Sequence, residues 1–408
     1  MPENLTDKGT LKAVVTTINN IPIDNVKVSI YIQGEPENKI EELTTDTTGN
    51  TEIVTLDAPP IELSLNEENI IQPYASYNIL FEAEGFNPVM VSGTEILSGE
   101  QAIQQIKLTP GNTGDDYVIP AHTLYGEYPP KIAEEEIKDV TNPGEIVLSR
   151  VVIPEYIVVH DGPPSDSSAR DYYVLYKDYI KNVASSEIYA TWPTETIKAN
   201  ILAIMSFTLN RVYTEWYRNK GYNFTITSST AYDHKWIPNR NIYDSISLIV
   251  DQIFNQYLSR PNVKQPILTQ YCDGKNVTCP GWMTQWGSKS LGDQGQSAIQ
   301  ILRNFYGSSI YINTANQISG VPSSYPGYDL DIGSSGEKVR QVQEQLDQIA
   351  TVYSNIPRIT ADGIYGERTK EAVTEFQRTF DLPATGIIDF RTWYKISQIY
   401  VGVTRIGV

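Results

Sequence analysis

Residues 362–396 read DGIYGERTKEAVTEFQRTFDLPATGIIDFRTWYKI. Asp362-Gly363 and Gly366 mark tight turns, because Gly accepts backbone angles that side chains resist and Asp bonds its own turn. Thr369 or a neighbouring polar group is placed to cap a helix that carries Ala372, Val373 and Phe376 on one face. Gly386 breaks the chain before a last helix built on Trp393. Upstream, DLDIGSSGEKVRQVQEQLDQIA from Asp329 sets Val339, Val342, Leu346 and Ile349 on one helical stripe behind Gly333 and Gly336. Three short helices around one small core are expected over 326–402.

Outward from this module, residues 151–320 mix strand-like and helical stretches. The clearest helix opens at Pro193, which is tolerated in a first turn, with Glu195 well placed against the positive helix end. Ile197, Ile201, Ile204, Met205, Thr208 and Val212 repeat at threes and fours, and Gly221 is the expected stop. Further helices are expected over 242–258 and 296–305. Residues 9–109 hold short runs rich in Val, Ile and Thr, such as TLKAVVTTI, NVKVSIYI and NTEIVTL, separated by turn signals at Asn20, Gly49 and Gly85. That spacing describes a small β-sandwich over 1–110. Residues 111–150 are rich in Gly, Pro and acids and read as a linker, at whose end the bond Arg150-Val151 offers an easy place to cut. The fold class is multidomain α+β: an N-terminal β-sandwich, a central mixed α/β domain and a C-terminal three-helix domain.

The 408 residues include 31 basic and 49 acidic side chains, a net charge of −18. Such a surface repels phosphate backbones and anionic lipid, so nucleic acid is not an expected partner. The 27 Tyr and 6 Trp suit stacking on sugars. No apolar run reaches the roughly 18–20 residues of a membrane span, and the opening MPENLTDKG lacks the basic and apolar parts of a secretory signal. Cys272 and Cys279 sit close in sequence and are read as a disulfide or a pair of free thiols. A Zn²⁺ site would need more ligands, and His122, His160 and His234 all lie far from them, so neither metal nor cofactor is expected.

The C-terminal pattern closely resembles the peptidoglycan-binding family 1 domain. That resemblance implies a wall-binding groove near Asp362, Ile364, Tyr365, Gly366 and Gln377. The N-terminal runs, with Asp46 to Gly49 and Tyr77, Gly85 and Phe86, resemble prealbumin-like sandwiches, for which no catalysis is implied. In the middle, NVASSEIYATWPTETIKANILAIMSFTLNR (182–211) and GWMTQWGSKSLGDQG (281–295) resemble, in order, two signatures of the stage II sporulation protein D family. Its enzymes are lytic transglycosylases, and the resemblance maps their carboxylate to Glu187 and a cleft floor to Gln285, Trp286 and Gly287. Trp192 and Tyr271 are further candidates for substrate contact. Met205 stands where the family usually has Arg, so a substrate-binding cation would come from elsewhere, with Arg211 the candidate.

Breaking a β-1,4 glycosidic bond needs an acid that still holds its proton near neutral pH, and the apolar neighbours Val183, Ile188, Tyr189 and Trp192 suit Glu187 to that task. Once ionised, the same group can take the proton of the muramic acid C6 hydroxyl, which closes a 1,6-anhydro ring. A hydrolase would want a second carboxylate, for which Asp233, Asp273 and Asp293 are available. Glu195 is assigned to helix-end stabilisation. The whole arrangement resembles the germination-specific spore cortex-lytic enzymes of clostridia (the SleC type). This implies an extracytoplasmic precursor in the spore, acting on cortex peptidoglycan after a subtilisin-like germination protease cuts at Arg150-Val151. The alternatives are an N-acetylmuramoyl-L-alanine amidase and a non-catalytic peptidoglycan-binding protein.

Overall fold

The computed structural model describes residues 5–18, 20–35, 37–122, 150–315, 317–319 and 325–404. Most of the expected linker, 123–149, therefore lies outside the described residues.

The N-terminal unit comprises β1 (Asp7–Thr17), β2 (Lys27–Ile32), β3 (Lys39–Thr44), β4 (Val54–Ala58), a one-turn helix α1 (Glu62–Leu65), β5 (Ala75–Glu82), β6 (Val89–Ile96), β7 (Gln101–Leu108) and β8 (Asp115–Val118). One sheet has the order β3-β2-β5-β6-β8, and the facing sheet runs β7-β1-β4. β1 and β7 are parallel, which closes the sandwich around alternating inward residues such as Leu11, Ala13 and Val15 against Val28, Ile30 and Ile79. The unit continues past residue 110, because β8 pairs with β6 and His122 is buried beside Glu95.

The central unit follows as β9 (Val152–Ile153), β10 (Tyr156–His160), β11 (Asp171–Leu175), α2 (Tyr176–Glu187), α3 (Thr194–Tyr213), β12 (Ile226–Thr227), β13 (Ile242–Tyr243), α4 (Asp244–Ile253), β14 (Gln256–Ser259), β15 (Tyr271–Cys272), β16 (Met283–Thr284), α5 (Gln285–Asp293), α6 (Ala298–Tyr306), β17 (Tyr311–Thr314) and β18 (Gln317–Ile318). The apolar stripe of α3 is buried as expected, but the helix ends at Tyr213, ahead of Gly221, where Glu215 takes a left-handed backbone. The helix expected over 242–258 is only α4. Residues 242–243 pair with β7 and residues 256–259 with β17, so sheet partners far away in sequence claim both ends. Glu195 lies in the first turn of α3 and accepts the N–H of Ala298, the first residue of α6, at 2.6 Å, so it stabilises a second helix start as well.

The C-terminal module holds α7 (Glu337–Ala350), α8 (Glu367–Thr379) and α9 (Phe390–Thr404). Gly366 is the N-cap of α8, and Thr369 lies inside its first turn, where its hydroxyl receives the Gln343 amide. Phe390 and Tyr394 pack on Phe254 of the central unit, while Lys12 of the N-terminal unit pairs with Asp381 at 2.7 Å. No helix among the described residues is long and apolar enough to cross a membrane.

Candidate active site

Glu187 is the last residue of α2, which stops there because Ile188 is extended. Its carboxylate is fully buried. Oε1 accepts the backbone N–H of Lys235 at 2.6 Å, and Oε2 accepts the hydroxyl of Tyr271. Tyr271 stands on β15, which pairs with β16, and this pair carries the chain into α5. The loop between them is tied by a Cys272–Cys279 disulfide and by Asp273, whose carboxylate accepts N–H groups from Lys275, Asn276 and Val277.

The donor at Lys235 is fixed from the far side. Asp233 is buried and accepts from Arg211 Nε at 2.9 Å, Tyr217 Oη at 2.6 Å and Thr227 N and Oγ1 at 2.9 and 2.8 Å. His234 packs its ring against Phe207 and stacks on Tyr271, with Nδ1 3.0 Å from the Tyr179 hydroxyl. Burial and the neighbouring Asp233 and Glu187 push the Tyr179 hydroxyl far above the usual range, so it stays protonated. Burial pulls the Lys235 ammonium down, and Glu187 works against that. The sequence offered Asp233 only as a possible second carboxylate, and the Lys235 main-chain donor was missed. It lies far from both signatures, and a backbone donor leaves no trace in residue type.

An aromatic cluster adjoins the end of α2. The Trp192 and Trp286 rings are 5.0 Å apart, and Tyr189 meets each edge-on at 5.8 and 6.4 Å. Gln285 is fully buried, and neither amide atom has a hydrogen-bond partner among the described residues. Gly287 has a local reason: a Cβ there would strike Thr284 Oγ1, which caps α5 by accepting the Gly287 N–H. Arg211 is buried against Asp233, so it is committed to the fold and not presented to a ligand. Of the other carboxylates, Asp233 and Asp273 are held as above and Asp293 pairs with Lys289. No group of three or more His, Cys, Asp or Glu among the described residues is arranged to hold a metal.

In the C-terminal module Tyr365 is buried and donates to Gly386 O, and Gln377 is buried and bonds Ile387 O and Gly386 N. Asp362 accepts from Gln343 and from Ile364 N. All three side chains thus hold the loops together. Of the residues in that region, Asp362 and Ile364 are exposed. A separate groove of about 370 Å³ is lined by Glu344, Asp347, Gln348, Ile359, Ala361, Tyr400 and Thr404.

The family model for a peptidoglycan-binding domain matches residues 335–396. No curated protein sequence matches the chain. Among solved structures, the SleB N-terminal domain is 27% identical over 18% of this chain and 93% of its own, with a TM-score of 0.16. The Bacillus anthracis TIE protein is 16% identical over 26% of this chain and 17% of its own, with a TM-score of 0.17. The minor pilin GBS52 of Streptococcus agalactiae is 12% identical over 28% of this chain and 49% of its own, with a TM-score of 0.18. The chain carries a peptidoglycan-binding domain over residues 335–396, which supports peptidoglycan as a partner.

Proposed function

We propose that the chain is a lytic transglycosylase of spore cortex peptidoglycan, with Glu187 as both general acid and general base. The supporting observation is the held carboxylate: a buried Glu187 whose two oxygens face different donors, beside an aromatic cluster suited to sugar rings. The Lys235 N–H can only donate, so Oε1 accepts in either protonation state. The acid proton therefore resides on Oε2, where the Tyr271 hydroxyl can turn to accept it. Oε2–H protonates the bridging oxygen as the C1–O bond of muramic acid breaks. The resulting carboxylate takes the proton of the C6 hydroxyl as O6 bonds C1. The acid is regenerated and no water is consumed. Gln285, with two unspent amide atoms, is suited to bind a sugar N-acetyl or hydroxyl group.

The same reading makes the chain a precursor activated by a subtilisin-like germination protease. Arg150 is exposed, while Val151 is buried at the edge of β9, which pairs with β18 over two residues. Cutting Arg150-Val151 requires that short pairing to open, and N-terminal sequencing of the activated form tests this bond against an upstream one. The decisive experiment treats purified cortex with the activated protein and its Glu187→Gln variant, with products read by mass spectrometry. The expected result is 1,6-anhydro ends from the parent and a loss of roughly 10²-fold or more in the variant. Anhydro product at an unchanged rate would reject the assignment.

A further inference from the structure

The N-terminal and central units are joined through a continuous sheet. β13 of the central unit lies antiparallel on β7, with Ile242 opposite Ile103 and Tyr243 opposite Ala102. Directly beside it, Glu95 of β6 is buried and accepts from Arg240 Nη2 at 2.6 Å, with His122 Nδ1 at 3.2 Å from the same oxygen. Arg240 Nη2 also donates to Ser185 O on α2, two residues before Glu187. Asn241 accepts the N–H of Glu95 and donates to its carbonyl, so one backbone position is read from both sides.

A second area of contact covers the aromatic cluster. Trp192 Nε1 donates to Ser64 O of the N-terminal unit at 3.0 Å, and the His122 ring stacks on Tyr189 at 4.8 Å. Lys275, in the disulfide loop, donates to Glu67 O. The surfaces proposed to meet sugar are thus occupied by residues 64–67 and His122. Both areas are formed by residues on either side of the segment 123–149.

We propose that residues 5–122 form a high-affinity noncovalent ligand of the central unit, which stays seated over the glycan site after the connecting segment is cut. Activation then has two stages, scission followed by dissociation. This builds on the precursor reading and adds that scission alone is insufficient. The chemistry favours persistence: strand addition supplies backbone bonds between β7 and β13, and the Arg240, Asn241 and Trp192 hydrogen bonds to residues 95 and 64 add side-chain contacts on the same face. Cutting the connecting segment removes the effective concentration that a tether supplies, so retention comes to depend on dilution.

The test uses the full chain with a site-specific protease sequence introduced between residues 123 and 149. After complete cleavage, size-exclusion chromatography with light scattering reads association, and cortex turnover reads access to the site. The expected result at about 10 μM is one co-eluting species whose turnover is within about twofold of the uncut chain. Dilution to the nanomolar range, or separation of the fragments, should raise turnover at least tenfold. Glu95→Gln should move release to at least tenfold higher concentration, and Gln104→Met, which deletes the bond to Asn239 O, should move it the same way with less disturbance to the fold. Free elution of the N-terminal fragment at about 10 μM would overturn the proposal, and so would full turnover by an intact nicked complex. Elution is read without any activity. A chain that never yields anhydro product therefore fails as a transglycosylase, while the association is still judged by mass.

Discussion

The two donors at Glu187 differ in freedom, and that difference can be measured. Tyr271→Phe removes the rotating hydroxyl and keeps the ring that stacks on His234. A hydrogen bond to a charged group contributes roughly 1.5–3 kcal/mol, so kcat should fall about tenfold or more with KM little changed. Steady-state turnover on cortex fragments checks this, and a change confined to KM would mark Tyr271 as a sugar contact only. Arg211 acts one layer further out. Arg211→Met leaves Asp233 buried without its cation and should cost about 3–5 kcal/mol in urea unfolding. Adding Asp233→Asn should recover part of that loss, because the pair is coupled and its effects are not additive. An additive double variant would show that the two side chains act independently.

Among the elements, α5 depends on close packing at its first turn. Gly287→Ala sets a methyl against Thr284 Oγ1 and displaces the cap, which should destabilise the protein by roughly 1–3 kcal/mol in thermal unfolding. An unshifted Tm would show that Thr284 can turn aside. The stripe of α3 was legible because Ile197, Ile201 and Ile204 are apolar and point one way. By contrast α2 was not read as a helix. Its buried face carries Lys177, Lys181, Ser185, Ser186 and Glu187, polar groups that are admitted because Asp251 pairs both lysines at 3.0 and 2.7 Å, the serines bond Tyr243 N and Asn182 O, and Glu187 is held by Lys235 and Tyr271. The ends of α4 were misread for a related reason: helical spacing is local, and the strands that capture Ile242 and Gln256 are remote. At the candidate site, Glu187 and Gln285 stood inside recognisable signatures. The segment from Asp233 to Lys235 did not, since it works through a main-chain amide and through partners on α3 and β12.

Over the whole molecule, charges from all three units converge at one junction. Lys12 pairs with Asp381, and Asp244 at the start of α4 is pushed up to about 6, first by burial and then by Asp381. A carboxyl whose folded pKa exceeds its unfolded value binds its proton more readily when folded. Stability should therefore rise as pH falls from about 7 through 6 toward 4, by about 1 kcal/mol once solvent screening is allowed for. Asp244→Asn should raise stability at pH 7 and flatten that slope, as read by urea unfolding at a series of pH values. An unchanged slope would assign the titration elsewhere, for instance to Glu100, which burial also lifts to about 6. The strand pairing between β7 and β13 has a further meaning when the chain is considered in the order of its synthesis. β7 emerges from the ribosome well before Ile242 and Tyr243 exist to cover it. During that interval the sandwich presents an open strand edge beside a Glu95 that still lacks Arg240, which is the kind of edge that recruits foreign strands. A nascent chain stalled between these points would be the most aggregation-prone form of the protein, and translation through Tyr243 is what ends the exposure.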